Sequence, residues 1–157
     1  IPGQLANIRD LKAAKRVRYV GATTSFDRQY KDFEAMMRRE TLDSIQIDYA
    51  LDNRNAAERI IPLAAERGMA VFINLPFGRG SVFRATQGRP LPDWAAEIDV
   101  TTWAQFMLKY LVSHPAVTCA VPGMAQGRYV AAILKIRVVF LTAGFPLMVV
   151  NQAALAG

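Results

Sequence analysis

The sequence predicts a parallel α/β fold, on three observations. Short, nearly unbroken apolar runs recur along the chain, helical patterns with an apolar stripe stand between them, and polar, glycine-bearing segments follow the runs. Strands buried on both faces of a parallel sheet read as continuous hydrophobic runs rather than alternating ones. Strand–helix repeats of this kind imply right-handed crossovers.

The elements follow in order. A helix over "QLANIRDLKAAK" opens the chain, and the first strand is expected in "RVRYVGA", around residues 17–22. Ser25 or Asp27 then caps a helix whose Tyr30, Phe33, Met36 and Met37 fall on one stripe. The second strand, "SIQIDYA" (44–50), leads to a helix capped by Asn55 and stopped at Gly68. The third, "MAVFINL" (69–75), is followed by a Pro/Gly-rich loop over "GRGSVFRATQGRPLPDWAAEIDV". Thr101 or Thr102 opens the last helix, with Trp103, Phe106, Met107, Tyr110 and Leu111 on its core face, and "AVTCAVPG" (116–123) is the fourth strand. Four such units are about half of an eight-unit barrel, and the same pattern fits a small open sheet.

Composition narrows the function classes. With 157 residues, 52% hydrophobic and 20% charged, the chain is long enough for one packed domain and is not a disordered composition. The net charge of +6 comes from basic residues set singly beside acids on helices, so a nucleic-acid partner is not expected. The single cysteine, Cys119, excludes an internal disulfide framework and a cysteine-based zinc site, and no metal site is expected. The only histidine, His114, falls in the turn into the fourth strand, where a cap or turn role is expected.

The chemistry is expected at the ends of the strands, the rim where parallel α/β folds bind ligands. Thr23, Thr24 and Ser25 follow the first strand; Gln46 and Asp48 share one face of the second by its two-residue period. Asn74, Gly78, Arg79 and Gly80 follow the third, and a Gly, a Gln and Arg128 follow the fourth. Amides at glycine-rich turns and bidentate arginine favour a phosphate-bearing ligand. No paired carboxylates, Ser–His or Cys–His arrangement accompanies Asp48, so no catalytic residue is assigned.

The segments "RVRYVGATTSF", "IQIDYALDNR", "RIIPLAAERGMAVFINLPFGRG" and "WAQFMLKYLVSHPAVTCAVPG" resemble, in order and spacing, the C-terminal half of the aldo-keto reductases, from about Leu11 to Val130. These are NADP(H)-dependent (β/α)8-barrel oxidoreductases, and the resemblance covers their fifth to eighth strands. It implies a half barrel over residues 1–131, in which Thr23, Thr24 and Gln46 hold the nicotinamide carboxamide. The family's seventh-strand motif, usually Tyr-Ser-Pro-Leu-Gly, stacks the nicotinamide and binds pyrophosphate through its loop. Here it reads Asn74, Leu75, Pro76, Phe77, Gly78, then Arg79 and Gly80, so a weakened hold on NADPH is expected. Gly123 to Gln126 match the loop that grips the adenosine phosphate, and Arg128 is one place from the family's usual arginine. The family's catalytic Asp, Tyr, Lys and His come from the second to fourth strands, so no residue here inherits those roles. A carbonyl substrate would belong to a full-length parent, and the isolated chain is expected to be inactive and cytoplasmic, with export of the parent left open.

The apolar tail, residues 132–157, departs from the resemblance. Where the family commonly ends in Glu/Asp-Asn-Leu, the chain reads Ala132, Ile133, Leu134, which a single-base deletion in the codons for Asp-Asn-Leu would produce. Out-of-frame translation from about Ala132 is therefore expected. A membrane span over Val138–Gly157, flanked by Lys135 and Arg137, is disfavoured by Gly144, Pro146, Asn151 and Gln152. A buried strand over "IRVVFL" is the remaining alternative. The competing expectation for function is a non-catalytic half barrel that self-associates, as a homodimer, through exposed sheet edges.

Overall fold

The structure, a computed structural model, describes residues 2–123 and 149–150. Helix α1 (Pro2–Ala13) leads to β1 (Gly21–Thr24), α2 (Tyr30–Arg39), β2 (Ser44–Asp48), α3 (Ile60–Glu66) and β3 (Ala70–Asn74). Then come a short α4 (Ser81–Thr86), α5 (Trp103–Val112), β4 (Cys119–Ala120) and β5 (Val149–Val150). The strands form one sheet in the order β1-β2-β3-β4-β5; the first four are parallel and β5 runs antiparallel beside β4. Four parallel strands alternating with helices make an open α/β half barrel, as the resemblance implies, where the chain pattern by itself also fits a small open sheet.

Register determines what each face of that sheet carries. Ile45 and Ile47 of β2 pair with Val71 and Ile73 of β3, and Ala120 of β4 continues the row. All five are fully buried, with Met37, Ile60, Ile61, Leu108 and Leu111 of the helix layer in the same core. The opposite face holds Thr23, Gln46, Phe72 and Cys119 in one row. Thr23 is exposed and Gln46 and Phe72 are half-buried. The expectation of strands buried on both faces is thus corrected: helices cover one face, and the other stays partly open along β1, β2 and β3.

Other departures have local causes. The first strand begins later than "RVRYVGA" suggests, because Asp43 takes the chain at Val20. Its carboxylate accepts the Val20 N–H at 2.7 Å, its own N–H donates to the Val20 carbonyl at 2.8 Å, and Lys12 reaches both carboxylate oxygens at 2.6 Å. Ser25, Asp27 and Asn55 do not cap helices. Ser25 accepts from Asn74, while Asn55, inside a 3-10 turn over Asn55–Ala57, donates to the Asp27 carboxylate. Thr102 does cap α5, accepting the Gln105 N–H at 3.2 Å. That helix is rotated from the expected stripe: Met107, Leu108, Leu111 and Val112 are buried, and Trp103 and Phe106 are only half so, joined by the exposed Trp94 with ring centroids 5.4 and 5.6 Å apart. The loop expected after the third strand contains α4 and a 3-10 turn over Asp93–Ile98.

His114 keeps its turn role, its Nδ1 accepting the Ala116 N–H at 3.2 Å. Cys119 is fully buried, and burial pushes its thiol up to about 12, so it is an inert packing residue. Among the described residues no helix is long and apolar enough to cross a membrane, and no metal-holding cluster occurs. The tail from Ala132, with its frameshift, membrane and "IRVVFL" readings, lies outside the described residues except for Val149 and Val150.

Ile47 sits at the centre of the buried row, so Ile47→Ala should cost about 2–5 kcal/mol of unfolding free energy in a denaturant titration. A loss below about 1 kcal/mol would mean that the helix layer does not pack on this row.

Candidate functional site

Successive residues on a strand point to opposite faces, so Thr23 and Ser25, Gln46 and Asp48, and Asn74 share the open face at the C-terminal end of the sheet. Thr24 does not join them. It pairs in register with Ile47, is buried on the helix side, and donates its hydroxyl to Gln29 Oε1 at 2.5 Å.

The side chains above the strand ends are tied together. Asp48 is 7% exposed; its carboxylate accepts from the Tyr30 hydroxyl at 3.0 Å and from Asn53 Nδ2 at 2.9 Å. Burial, then the Asp48 charge, push the Tyr30 phenol far above its ordinary value. Asn74 Nδ2 donates to Ser25 Oγ at 2.7 Å, crossing from β3 to the end of β1. This fixes the amide and leaves Asn74 Oδ1 buried without a partner. An unmade hydrogen bond of this kind costs about 1–3 kcal/mol. By contrast, Thr23 and Gln46 make no side-chain hydrogen bond among the described residues.

The turn after β3 carries the other candidates. Leu75 (φ 49°), Gly78 (φ 54°), Arg79 (φ 55°) and Gly80 (φ 87°) all lie in the left-handed region. For Leu75 and Arg79 this costs on the order of 1–3 kcal/mol each. Gly78 has no room for a side chain: a Cβ there would meet the Asp52 carboxylate at 2.5 Å. Asp52 also accepts from the Ser81 hydroxyl. The turn's amides are partly spent internally, Gly78 N–H on the Leu75 carbonyl at 2.9 Å and Gly80 N–H on Phe77 at 2.8 Å. Phe77 packs on Phe83, ring centroids 4.9 Å apart, and against the core. Arg79 is exposed and lines a cavity of about 160 Å³ with Asp48, Asp52 and Asn53. A larger groove of about 550 Å³ lies between α2 and α3, bordered by Tyr30, Glu34, Arg38 and Arg59. Glu34 bridges Arg38 and Arg59 there, at 2.9 and 2.7 Å. Gly123, exposed, ends the described chain after β4; Gln126 and Arg128 lie outside the described residues.

Chemically, the open face offers donors and acceptors at the spacing of adjacent strands, and among the described residues no group of His, Cys, Asp and Glu there could hold a metal ion. Sequence reasoning assigned Thr23, Gln46 and Asn74 to this rim but missed Ser25 as the anchor of Asn74 and Asp52 as the neighbour of Gly78. Strand parity was the available signal for Ser25; the Asp52 contact joins two loops and has no local signature.

No family model matches the sequence, and no curated protein does either. Solved structures do match. An aldo-keto reductase, AKR11C1 from Bacillus halodurans in its holo form, superposes with a TM-score of 0.62 at 22% identity, covering 88% of this chain and 51% of that one. The thermostable aldo-keto reductase Tm1743, in complex with the inhibitor epalrestat, gives 0.64 at 21% identity, covering 88% and 49%. At these identities the likeness is one of fold. The chain spans about half the length of the structures it matches.

Tyr30 and Tyr49 both hold their protons more tightly in the fold, Tyr49 through burial and its contact with Tyr110. Their contribution to stability is therefore complete below the ordinary tyrosine value of 10.0 and is lost as pH rises above it. Tyr30→Phe should lower stability at neutral pH by about 1 kcal/mol and flatten the decline of the unfolding midpoint between about pH 10 and 12. An alkaline decline as steep as the parent's would contradict the Tyr30–Asp48 contact.

Proposed function

We propose that this chain is the cofactor-binding half of an NADP(H)-dependent carbonyl reductase of the aldo-keto reductase type. The observation that carries the proposal is the row Thr23–Gln46 with Asn74 beside it, on the open face of a sheet that superposes on half of two aldo-keto reductases. The family's activity is thereby offered for a full-length parent, with a small carbonyl compound as substrate.

The fit of a nicotinamide dinucleotide differs between its two ends. At the amide end it is good: the Thr23 hydroxyl and the Gln46 amide are uncommitted among the described residues, and the orphaned Asn74 Oδ1 is an acceptor lacking a donor. A primary carboxamide, with two N–H donors and one carbonyl acceptor, complements that set. At the phosphate end it is poorer. The Asp52 carboxylate lies against Gly78, and two of the turn's amides are already donating within it, leaving the Arg79 guanidinium as the main anion contact. A weakened hold on NADPH follows from this like-charge approach and from the missing aromatic at Asn74.

When bound, the nicotinamide supplies the hydride. The residues of this chain orient it: Thr23 and Gln46 at the carboxamide, Arg79 at the pyrophosphate, and, in the same proposal, Gly123, Gln126 and Arg128 toward the adenosine phosphate. The helix layer behind the isoleucine row keeps the strands from shifting, which is what holds these groups in register. Proton delivery to the carbonyl oxygen is not assigned to any residue of this chain.

A second reading rests on the unpaired edge of β1 among the described residues and on the partly open face. Exposed edges favour association, and two copies could cover each other's open faces. Sedimentation that gives only a 17.4 kDa species across concentrations would remove this reading.

For the first reading, NADPH should quench the emission of the two tryptophans, Trp94 and Trp103, saturably, while the pure chain should reduce no carbonyl compound. Absence of any dinucleotide effect would overturn the cofactor assignment, and turnover by the pure chain would overturn the predicted inactivity.

A further inference from the structure

The groove of about 550 Å³ between α2 and α3 has no part in the function proposed above. Pockets that hold small molecules are commonly about 300–1,000 Å³. We infer that this groove binds a small apolar monocarboxylate, its carboxylate shared by Arg38 and Arg59 and its apolar body set against Ala35 and Ile60. The inference goes beyond the dinucleotide reading and does not depend on it.

Charge at a single oxygen carries the argument. Lys31, Glu34, Ala35 and Arg38 recur at helical spacing and share one face of α2, and Arg59 stands across the groove at the entry of α3. Glu34 Oε1 accepts from Arg38 Nε at 3.2 Å and Nη2 at 2.9 Å, and from Arg59 Nη2 at 2.7 Å. One carboxylate thus gathers two guanidiniums. The bonds from Arg38, then Arg59, hold the Glu34 carboxyl below the usual carboxylate range, so it stays an anion and the cluster keeps an excess of one positive charge. Lys31 and Glu58, the other charged residues of the lining, cancel in that count, and Glu58 bonds neither arginine among the described residues. Each guanidinium carries several N–H donors beyond those spent on Glu34, and these are left for a second acceptor. A monoanion neutralises the excess. A dianion, such as a phosphate ester, would bring a further negative charge against Glu34 and Glu58, so a carboxylate is the better match. The rest of the wall is apolar: Ile60 is buried at its base, Ala35 is exposed on its side, and the Tyr30 ring is held by its hydroxyl's bond to Asp48 at 3.0 Å. Solvent screens an exposed ion pair, so a bare anion binds weakly and the apolar contact sets the ligand class.

The test is a two-dimensional amide NMR titration of the whole chain, at constant ionic strength, with benzoate, acetate and benzyl alcohol. Benzoate should shift the amides of residues 31–38 and 55–60 saturably. Acetate, which lacks the ring, and benzyl alcohol, which lacks the charge, should bind about tenfold more weakly. Arg38→Gln and Arg59→Gln, each checked for folding by its thermal transition, remove the excess charge and should each weaken benzoate about tenfold. Arg39→Gln, at an exposed arginine of α2 that does not line the groove, should leave benzoate binding unchanged. No saturable shift in these two segments, or an equal loss from Arg39→Gln, would overturn the inference and reduce the Glu34 cluster to a tie between α2 and α3. Acetate binding as tightly as benzoate would overturn it as well, since the apolar wall would then contribute nothing. Shifts confined to the turn over residues 75–80 would overturn it in favour of Arg79. None of these results bears on NADPH binding, so the dinucleotide reading stands or falls separately.

Discussion

The parallel register of β1, β2 and β3 is the constraint on which the rest depends. Pairing Thr23 with Gln46 and Asp48 with Asn74 puts one polar set on one face, and the same pairing puts Ile45, Ile47, Val71 and Ile73 on the other. A slip by one residue would exchange the faces, exposing the isoleucines and driving the polar side chains into the helix layer. The cost of burying those polar groups unpaired, added to the loss of apolar burial, fixes the register firmly. The core therefore determines where the candidate site points.

Polar contacts do a different job. They join loops that the core does not reach: Asp43 ties α1 to the entry of β1, Asp48 ties α2 to the turn after β2, and Asn74 ties the end of β3 to that of β1. Exposed ion pairs such as Arg38–Glu34 add little, since solvent screens them. Among the described residues the Tyr30–Asp48–Asn53 and Ser25–Asn74 contacts are paired, while Asn74 Oδ1 is buried without a partner.

Much of the fold was legible in the sequence because it is written in local patterns. The apolar runs around Ile45 and Val71 mark strands, and the spacing of Phe33, Met36 and Met37 marks the buried face of α2. Thr102 could be read as a cap because its signal is confined to four residues. The first strand was placed too early because Val17, Tyr19 and Val20 look like a strand, whereas Asp43, more than twenty residues away, captures Val20. The half-open face was also missed: near-continuous hydrophobicity could not reveal that Phe72 stays half-buried while Val71 and Ile73 are sealed. Of the site, strand parity disclosed Gln46 with Asp48, whereas Ser25–Asn74 and Asp52–Gly78 are contacts between distant loops and leave no mark on any one segment.

The most direct measurement is amide hydrogen exchange of the chain with and without NADPH, resolved by peptide. A cofactor on the open face should slow exchange around Thr23–Ser25, Gln46–Asp48 and the Leu75–Gly80 turn, and leave the groove between α2 and α3 unchanged. Protection confined to that groove, or no protection at all at saturating NADPH, would contradict a dinucleotide site on the open face of the half barrel.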